Sequence, residues 1–144
     1  MLNVNKSIRD SLIADSLSEW IWEYDLITGE TAIIGALINF LGYSKNEIIE
    51  HMDFWFTLIH PDDVSQLLNA LKKVIDDKDD YFMAEYRIKS KYQGYKWIKS
   101  NGKALKNENG KNIYIAGYHT DITSFKHIEE TKQKHMTIFN NVND

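Results

Sequence analysis

No cysteine occurs among the 144 residues. A disulfide framework, a thiolate metal site and a cysteine nucleophile are therefore excluded. Proline occurs once, at Pro61, which favours long regular elements over a loop-rich chain. No run approaches the ~18 consecutive apolar residues of a bilayer-spanning helix. The first ten residues mix polar and charged types and lack the apolar stretch of a signal peptide. A soluble, cytoplasmic segment without membrane contact is expected. Charge of one sign is also scarce: the net value is −4, whereas a dedicated nucleic-acid binder is usually strongly basic. Catalytic signatures are missing as well. There is no Gly-x-Gly-x-x-Gly, no phosphate-binding loop ending in Lys-Ser/Thr and no nucleophile elbow.

What the chain does hold is apolar and aromatic mass, 43% and 12% of residues. Its length suits one domain and lets it bury roughly two thirds of its unfolded surface. Residues 7–17 read as a short helix. Trp20, Trp22 and Tyr24 then alternate along one face of a strand. Thr28-Gly29 turns it into a second strand at residues 30–34. Two short helical pieces follow at 36–41 and 45–50. Gly42 closes the first, and Ser44 with Glu47 forms a capping box at the second. Residues 51–60 are apolar but too irregular to assign. Pro61, with Asp62 and Asp63 behind it, opens the strongest helix in the chain. Its apolar positions Val64, Leu67, Leu68, Leu71, Val74 and Ile75 recur at helical spacing. The acidic run at 76–80 reads as a solvated loop.

From Tyr81 the period changes to two. Phe82, Ala84, Tyr86 and Ile88 share one strand face, Gln93-Gly94 turns, and a second strand covers 95–106. Asn109-Gly110 is a hairpin signal. The third strand, 112–122, is apolar on both faces in its first half, as suits a central position. Beyond it Phe125, Ile128, Lys132, His135, Phe139 and Val142 fall at coiled-coil spacing. The fold class is thus α+β: a five-stranded antiparallel sheet with helices on one face. Residues 1–18 and 124–144 flank a core at 19–123.

Several ordered motifs resemble a PAS domain of the bacterial multidomain sensor type. They are Trp22-Glu23-Tyr24-Asp25 with Thr28-Gly29-Glu30, Leu41-Gly42-Tyr43-Ser44 with Glu47, and Ile59-His60-Pro61-Asp62-Asp63. Glu85-Tyr86-Arg87, then Trp97 with Gly102, follow. The most specific is Gly117 with Asp121-Ile122-Thr123, Lys126 and Glu129. The resemblance covers residues 17–130 and implies a noncatalytic sensory module of a larger signalling protein. It also implies that Asp121, Ile122 and Thr123 relay signals into the exit helix. Physically, Thr123 suits a helix cap. Asp121 suits the positive helix end, and could pair with a base on a neighbouring strand.

The resemblance also places a ligand pocket between sheet and helices, for which Trp22, Phe40, Trp55, Ile59, Tyr86 and Tyr118 are the candidate lining. They serve equally well as core. A possible small-molecule ligand stays unnamed. Flavin photochemistry through a cysteine is excluded, and haem is not expected, since His60 belongs to a helix-start string. No metal site is expected either: His51, His60, Asp62 and Asp63 lack ligand spacing. His119 shares strand parity with Gly117 and Asp121, which would let it reach a pocket or a subunit contact, but it reads first as a satisfied structural histidine. His127 and His135 lack the Glu-Leu-Arg context of a phosphorylated kinase helix.

Between Arg87 and Lys111 bases dominate, with Glu108 the lone acid. Lysines on strand edges protect against edge pairing, so no nucleic-acid partner is expected. The exit helix suggests a homodimer through a short coiled coil. The Thr137-Ile138-Phe139-Asn140 stretch resembles the start of a further PAS domain, so adjacent PAS and output domains are expected, the output being a diguanylate cyclase, phosphodiesterase or histidine kinase. The alternative is a ligand-free dimerisation or interaction module with a filled core.

Overall fold

The aromatic alternation of Trp20, Trp22 and Tyr24 builds β1 (Trp20–Asp25), and a tight turn returns the chain as β2 (Thr31–Ile34). The computed structural model describes residues 20–34 and 37–142. The flanking helix expected at 7–17 lies outside the described residues. Asp25 shapes the first turn, its carboxylate accepting the N–H groups of Ile27 and Thr28 at 2.8 and 3.1 Å. Gly29 completes it at φ +80°.

The helical middle comprises α1 (Leu37–Phe40), a 3-10 turn at Lys45–Glu47, α2 (Met52–Leu58) and α3 (Pro61–Ile75). Both short pieces end sooner than their sequence pattern suggests. Gly42 at φ +87° stops the first, and the second extends only one 3-10 turn past its capping box. The unassigned apolar stretch is α2. Its cap is a histidine: His51 Nδ1 accepts the N–H of Asp53 at 3.1 Å. His60 repeats the device at α3, accepting the N–H of Asp62 at 3.1 Å.

Three long strands complete the sheet: β3 (Tyr81–Lys89), β4 (Tyr95–Lys106) and β5 (Asn112–Asp121). The sheet has five strands in the order β2-β1-β5-β4-β3, with every pairing antiparallel. β5 is central, as its two apolar faces require. The helices between β2 and β3 cover one face and bury Leu37, Leu41, Met52, Trp55, Leu67, Leu71 and Val74 against Trp22, Tyr24, Phe82, Tyr86, Ile98 and Ile115. The chain leaves the sheet as α4 (Thr123–Val142).

The acidic run is no free loop. Asp77 Oδ1 accepts the Asn112 N–H at 2.7 Å, and Asp80 meets Lys106 at 2.9 Å. The side-chain amide of Asn112, a buried residue, donates to the carbonyls of Val74 and Asp79. These bonds join the end of α3 to the β4–β5 hairpin, so the acids are spent on structure. Bases behave likewise. Lys91 pairs with Glu47 at 2.6 Å and Arg87 with Asp63 at 2.9 Å.

Candidate functional site

The space between sheet and helices narrows to a cavity of about 30 Å³. Its wall is drawn from seven elements: Trp22 of β1, Ile33 of β2, Met52 and Trp55 of α2, Leu67 and Leu71 of α3, Phe82 and Tyr86 of β3, Ser100 of β4 and His119 of β5. Strand parity explains the convergence. Trp20, His119 and Ser100 stand in one row of the sheet, and Trp22, Gly117, Gly102 and Phe82 in the next. The two glycines make that row possible. A Cβ on Gly102 would come within 3.0 Å of the Trp22 ring, and one on Gly117 within 1.7 Å of the Asn101 carbonyl.

Four of the side chains in the wall are aromatic. Trp22 meets Phe82 edge to face at 5.7 Å. The His119 ring lies 5.6 Å from Trp22 and 5.9 Å from Trp55. Tyr86 and Ser100 share a buried hydroxyl–hydroxyl bond of 2.7 Å, and the Trp55 indole N–H also bears on the Tyr86 oxygen. Burial pushes the Tyr86 phenol up.

His119 departs from the expectation of a satisfied histidine. It is 3% exposed, and its Nδ1 has no hydrogen-bond partner. The Trp22 indole nitrogen, equally buried, has none either. Desolvation alone drives the His119 imidazole down to about 3, so the ring is neutral at physiological pH. Sequence parity groups His119 with Gly117 and Asp121 but says nothing about whether a partner waits for its ring.

Of the six residues proposed from sequence, Trp22, Trp55 and Tyr86 converge on the cavity. The other three lie elsewhere. Phe40 is half-buried at the end of α1, 4.9 Å from Trp20, and carries Lys96 over its ring. Ile59 is core, bridging to Ile88. Tyr118 neighbours His119, so the pleat turns it to the opposite face of the sheet. His60 is occupied as the α3 cap and lies 4.7 Å from the Tyr95 ring. Among the described residues, no three His, Cys, Asp or Glu side chains gather to hold a metal ion. A volume of 30 Å³ accommodates about two waters and is far below the roughly 300–1,000 Å³ of pockets for cofactor-sized ligands.

A second constellation sits where β5 becomes α4, with the expected roles of two residues exchanged. Asp121 is the cap: its Oδ1 accepts the Thr123 N–H at 3.0 Å. Thr123, the first helical residue, is a clamp. Its Oγ1 accepts the Trp97 N–H at 3.1 Å, and its hydroxyl reaches back to the Trp97 carbonyl. The Ile122 N–H also donates to that carbonyl, at 3.0 Å. One turn on, Lys126 meets Glu85 at 2.9 Å and lies 4.9 Å from the centre of the Trp97 ring. Arg87 lies 5.1 Å from the same ring. Its side chain and N–H also grip Asp63 of α3, at 2.7 to 3.0 Å. Burial alone would raise the Asp63 carboxyl, but these bonds outweigh it and hold the group below its ordinary range.

An antiparallel sheet half-wrapped by short helices, with a cavity beneath and an exit helix clamped to Trp97 of β4, defines a small α+β domain. A profile described as PAS fold matches residues 33–119, and the chain belongs to that family. It is similar to a solved sensory box histidine kinase/response regulator from Burkholderia thailandensis, with a TM-score of 0.75 and 26% identity over 92% of this chain and 98% of that one. The N-terminal domain of a diguanylate cyclase with PAS/PAC sensor from Marinobacter aquaeolei shares the fold, with a TM-score of 0.67 at 21% identity over 76% and 99% of the two chains. Among curated proteins the chain is 34% identical over 84 residues to hybrid signal transduction histidine kinase A of Dictyostelium discoideum. That match covers 56% of this chain and 4% of the relative. The methyl sulfide methyltransferase-associated sensor of Methanosarcina acetivorans is 29% identical over 93 residues, 65% of this chain and 9% of its own length. The chain is a PAS sensory module of signalling proteins. Among the described residues no helix is long and apolar enough to cross a membrane.

Proposed function

We propose that the chain is a noncatalytic sensing and relay module, in which the cavity is the sensing site and Asp121, Ile122 and Thr123 pass its state to α4. One observation carries this reading. His119, in the cavity wall, and Asp121, the cap of α4, lie two residues apart on the same face of β5. A change of packing around the His119 ring therefore reaches the helix start through about 7 Å of one strand. The clamp on Trp97 then converts strand movement into helix movement, because Thr123 and Ile122 both hang on that one residue of β4.

Beyond its first turn α4 is exposed. Ile128 and Phe139, 68% and 67% exposed, fall with Lys132 and His135 at heptad spacing, which supports pairing with a second copy through a short coiled coil. The helix would lead into an output domain of the kinase, cyclase or phosphodiesterase kind. The test is Asp121→Ala in the parent signalling protein. Signal-dependent output is expected to vanish while the domain stays folded; an unchanged response would sink the relay.

A further inference from the structure

Two cations share one aromatic ring where α4 starts. Arg87 of β3 and Trp97 of β4 stand directly opposite each other, with the guanidinium carbon 5.1 Å from the ring centre. The Lys126 ammonium of α4 lies 4.9 Å from the same centre. The two charges are thus within about 10 Å of each other and repel. Each is balanced by its own carboxylate: Arg87 by Asp63 of α3 and Lys126 by Glu85 of β3, both at 2.9 Å. Glu85 and Arg87 are two residues apart on one face of β3, about 7 Å along the strand. Glu85 is therefore within reach of either cation.

We infer that Arg87 is a positioning residue for α4, acting through its choice of carboxylate. Held by Asp63, it leaves Glu85 to Lys126; let go by Asp63, it takes Glu85 and frees Lys126. The inference rests on the reading of α4 as the output helix. It gives that helix a second input, from α3, which bypasses His119 and β5. Leu67 and Leu71 of α3 line the cavity, and Asp63 stands one turn before Leu67, so a shift of α3 acts on Asp63. Asp62 also bears on Arg87, but it belongs to α3 as well, and its exposed carboxylate is screened by water.

Two features make the exchange a switch between discrete arrangements. Asp63 grips the Arg87 side chain with both oxygens, at 3.0 and 2.9 Å, and accepts its backbone N–H at 2.7 Å. So directional a fork is lost over a small displacement. Lys126, once Glu85 is taken, keeps only Glu129 at 3.4 Å, a neighbour on its own helix that does not tie α4 to the sheet. The Thr123 clamp is untouched, so α4 keeps its pivot and gains freedom to swing about it.

The experiment is amide hydrogen exchange on the full 144-residue chain, read at Lys126, whose N–H bonds the Ile122 carbonyl. Asp63→Asn is expected to accelerate exchange there about threefold relative to the amides of β5. Adding Arg87→Met to Asp63→Asn should return the rate to that of the unaltered chain, because no cation is left to claim Glu85. A purely structural ion pair would not behave so, since the second loss would add to the first or leave it unchanged. No selective acceleration in Asp63→Asn, or acceleration that persists in the double variant, would overturn the inference. Should Asp63→Asn fail to fold, Arg87→Lys decides. Its ammonium lacks the fork that holds both Asp63 oxygens, so exchange at Lys126 is expected to rise, and an unchanged rate would overturn the inference. No signalling output enters this readout. Its failure leaves the Asp121 relay standing, and an unchanged Asp121→Ala response leaves the exchange result standing.

Discussion

His119 stays neutral because burial in the cavity wall strips an imidazolium of its hydration. The unfolded chain has no such constraint, and there the ring takes its proton near its ordinary value of about 6.5. Between that value and about 3 the unfolded state binds more protons than the native one, so stability falls as pH falls. Lowering the pH from 7 to 5 is expected to cost about 2 kcal/mol through this group alone. Urea unfolding of the chain and of His119→Phe at both pH values checks this; equal slopes for the two proteins would refute it. Gly117 is a residue with a single tolerable identity. With the Asn101 carbonyl 1.7 Å from where a Cβ would stand, Gly117→Ala must push β4 away from β5. A loss of about 3 kcal/mol, the upper end of overpacking costs, is expected, lowering the melting midpoint by roughly 10 °C. Calorimetry would show it. Neither site was fully legible in the sequence. Trp22, Trp55 and Tyr86 are no different in kind from Phe40, Ile59 and Tyr118, and only packing decides which three meet. Parity grouped His119 with Gly117, but an absent partner has no sequence signature.

The elements were far more legible than the cavity, because period-two apolar patterns and turn residues act locally. β3, β4 and β5 follow from alternation together with Gly94 and Gly110, both at positive φ. The stretch that resisted assignment, α2, is seven residues long and capped by a histidine, so neither its length nor its cap matches the usual helix-start signal. The junction into α4 was located correctly but its labour misassigned: two potential caps stand two residues apart, and sequence cannot tell which faces the helix and which faces β4. The observed division makes a specific prediction. Thr123→Val removes the acceptor of the Trp97 N–H and is expected to cost about 1 kcal/mol, felt mainly at the seam between β4 and α4. Amide hydrogen exchange at Trp97 and Ile122 should accelerate about fivefold, with residues in α3 unchanged. Uniform acceleration across the sheet would show that Thr123 is general scaffolding and not a clamp.

At the scale of the whole molecule, charge is arranged for cohesion. Several bases of the stretch from Arg87 to Lys111 are committed: Arg87 to Asp63, Lys91 to Glu47 and Lys106 to Asp80. What remains open is the apolar stripe of α4. If two copies pair along it, sedimentation of the chain will show a mass that doubles with concentration. Ile128→Lys, a change at an exposed position with little effect on the monomer fold, should hold it monomeric. Persistent dimers in that variant would move the interface elsewhere.

The fastening of α4 at one end has a mechanical corollary. Its 20 residues extend about 30 Å from the pivot at Thr123. Rotating so stiff a rod by 5° at the pivot sweeps its far tip through about 2.5 Å. Displacements too small to open the cavity visibly would thus arrive at the far end of α4 magnified, with the gain set by helix length alone.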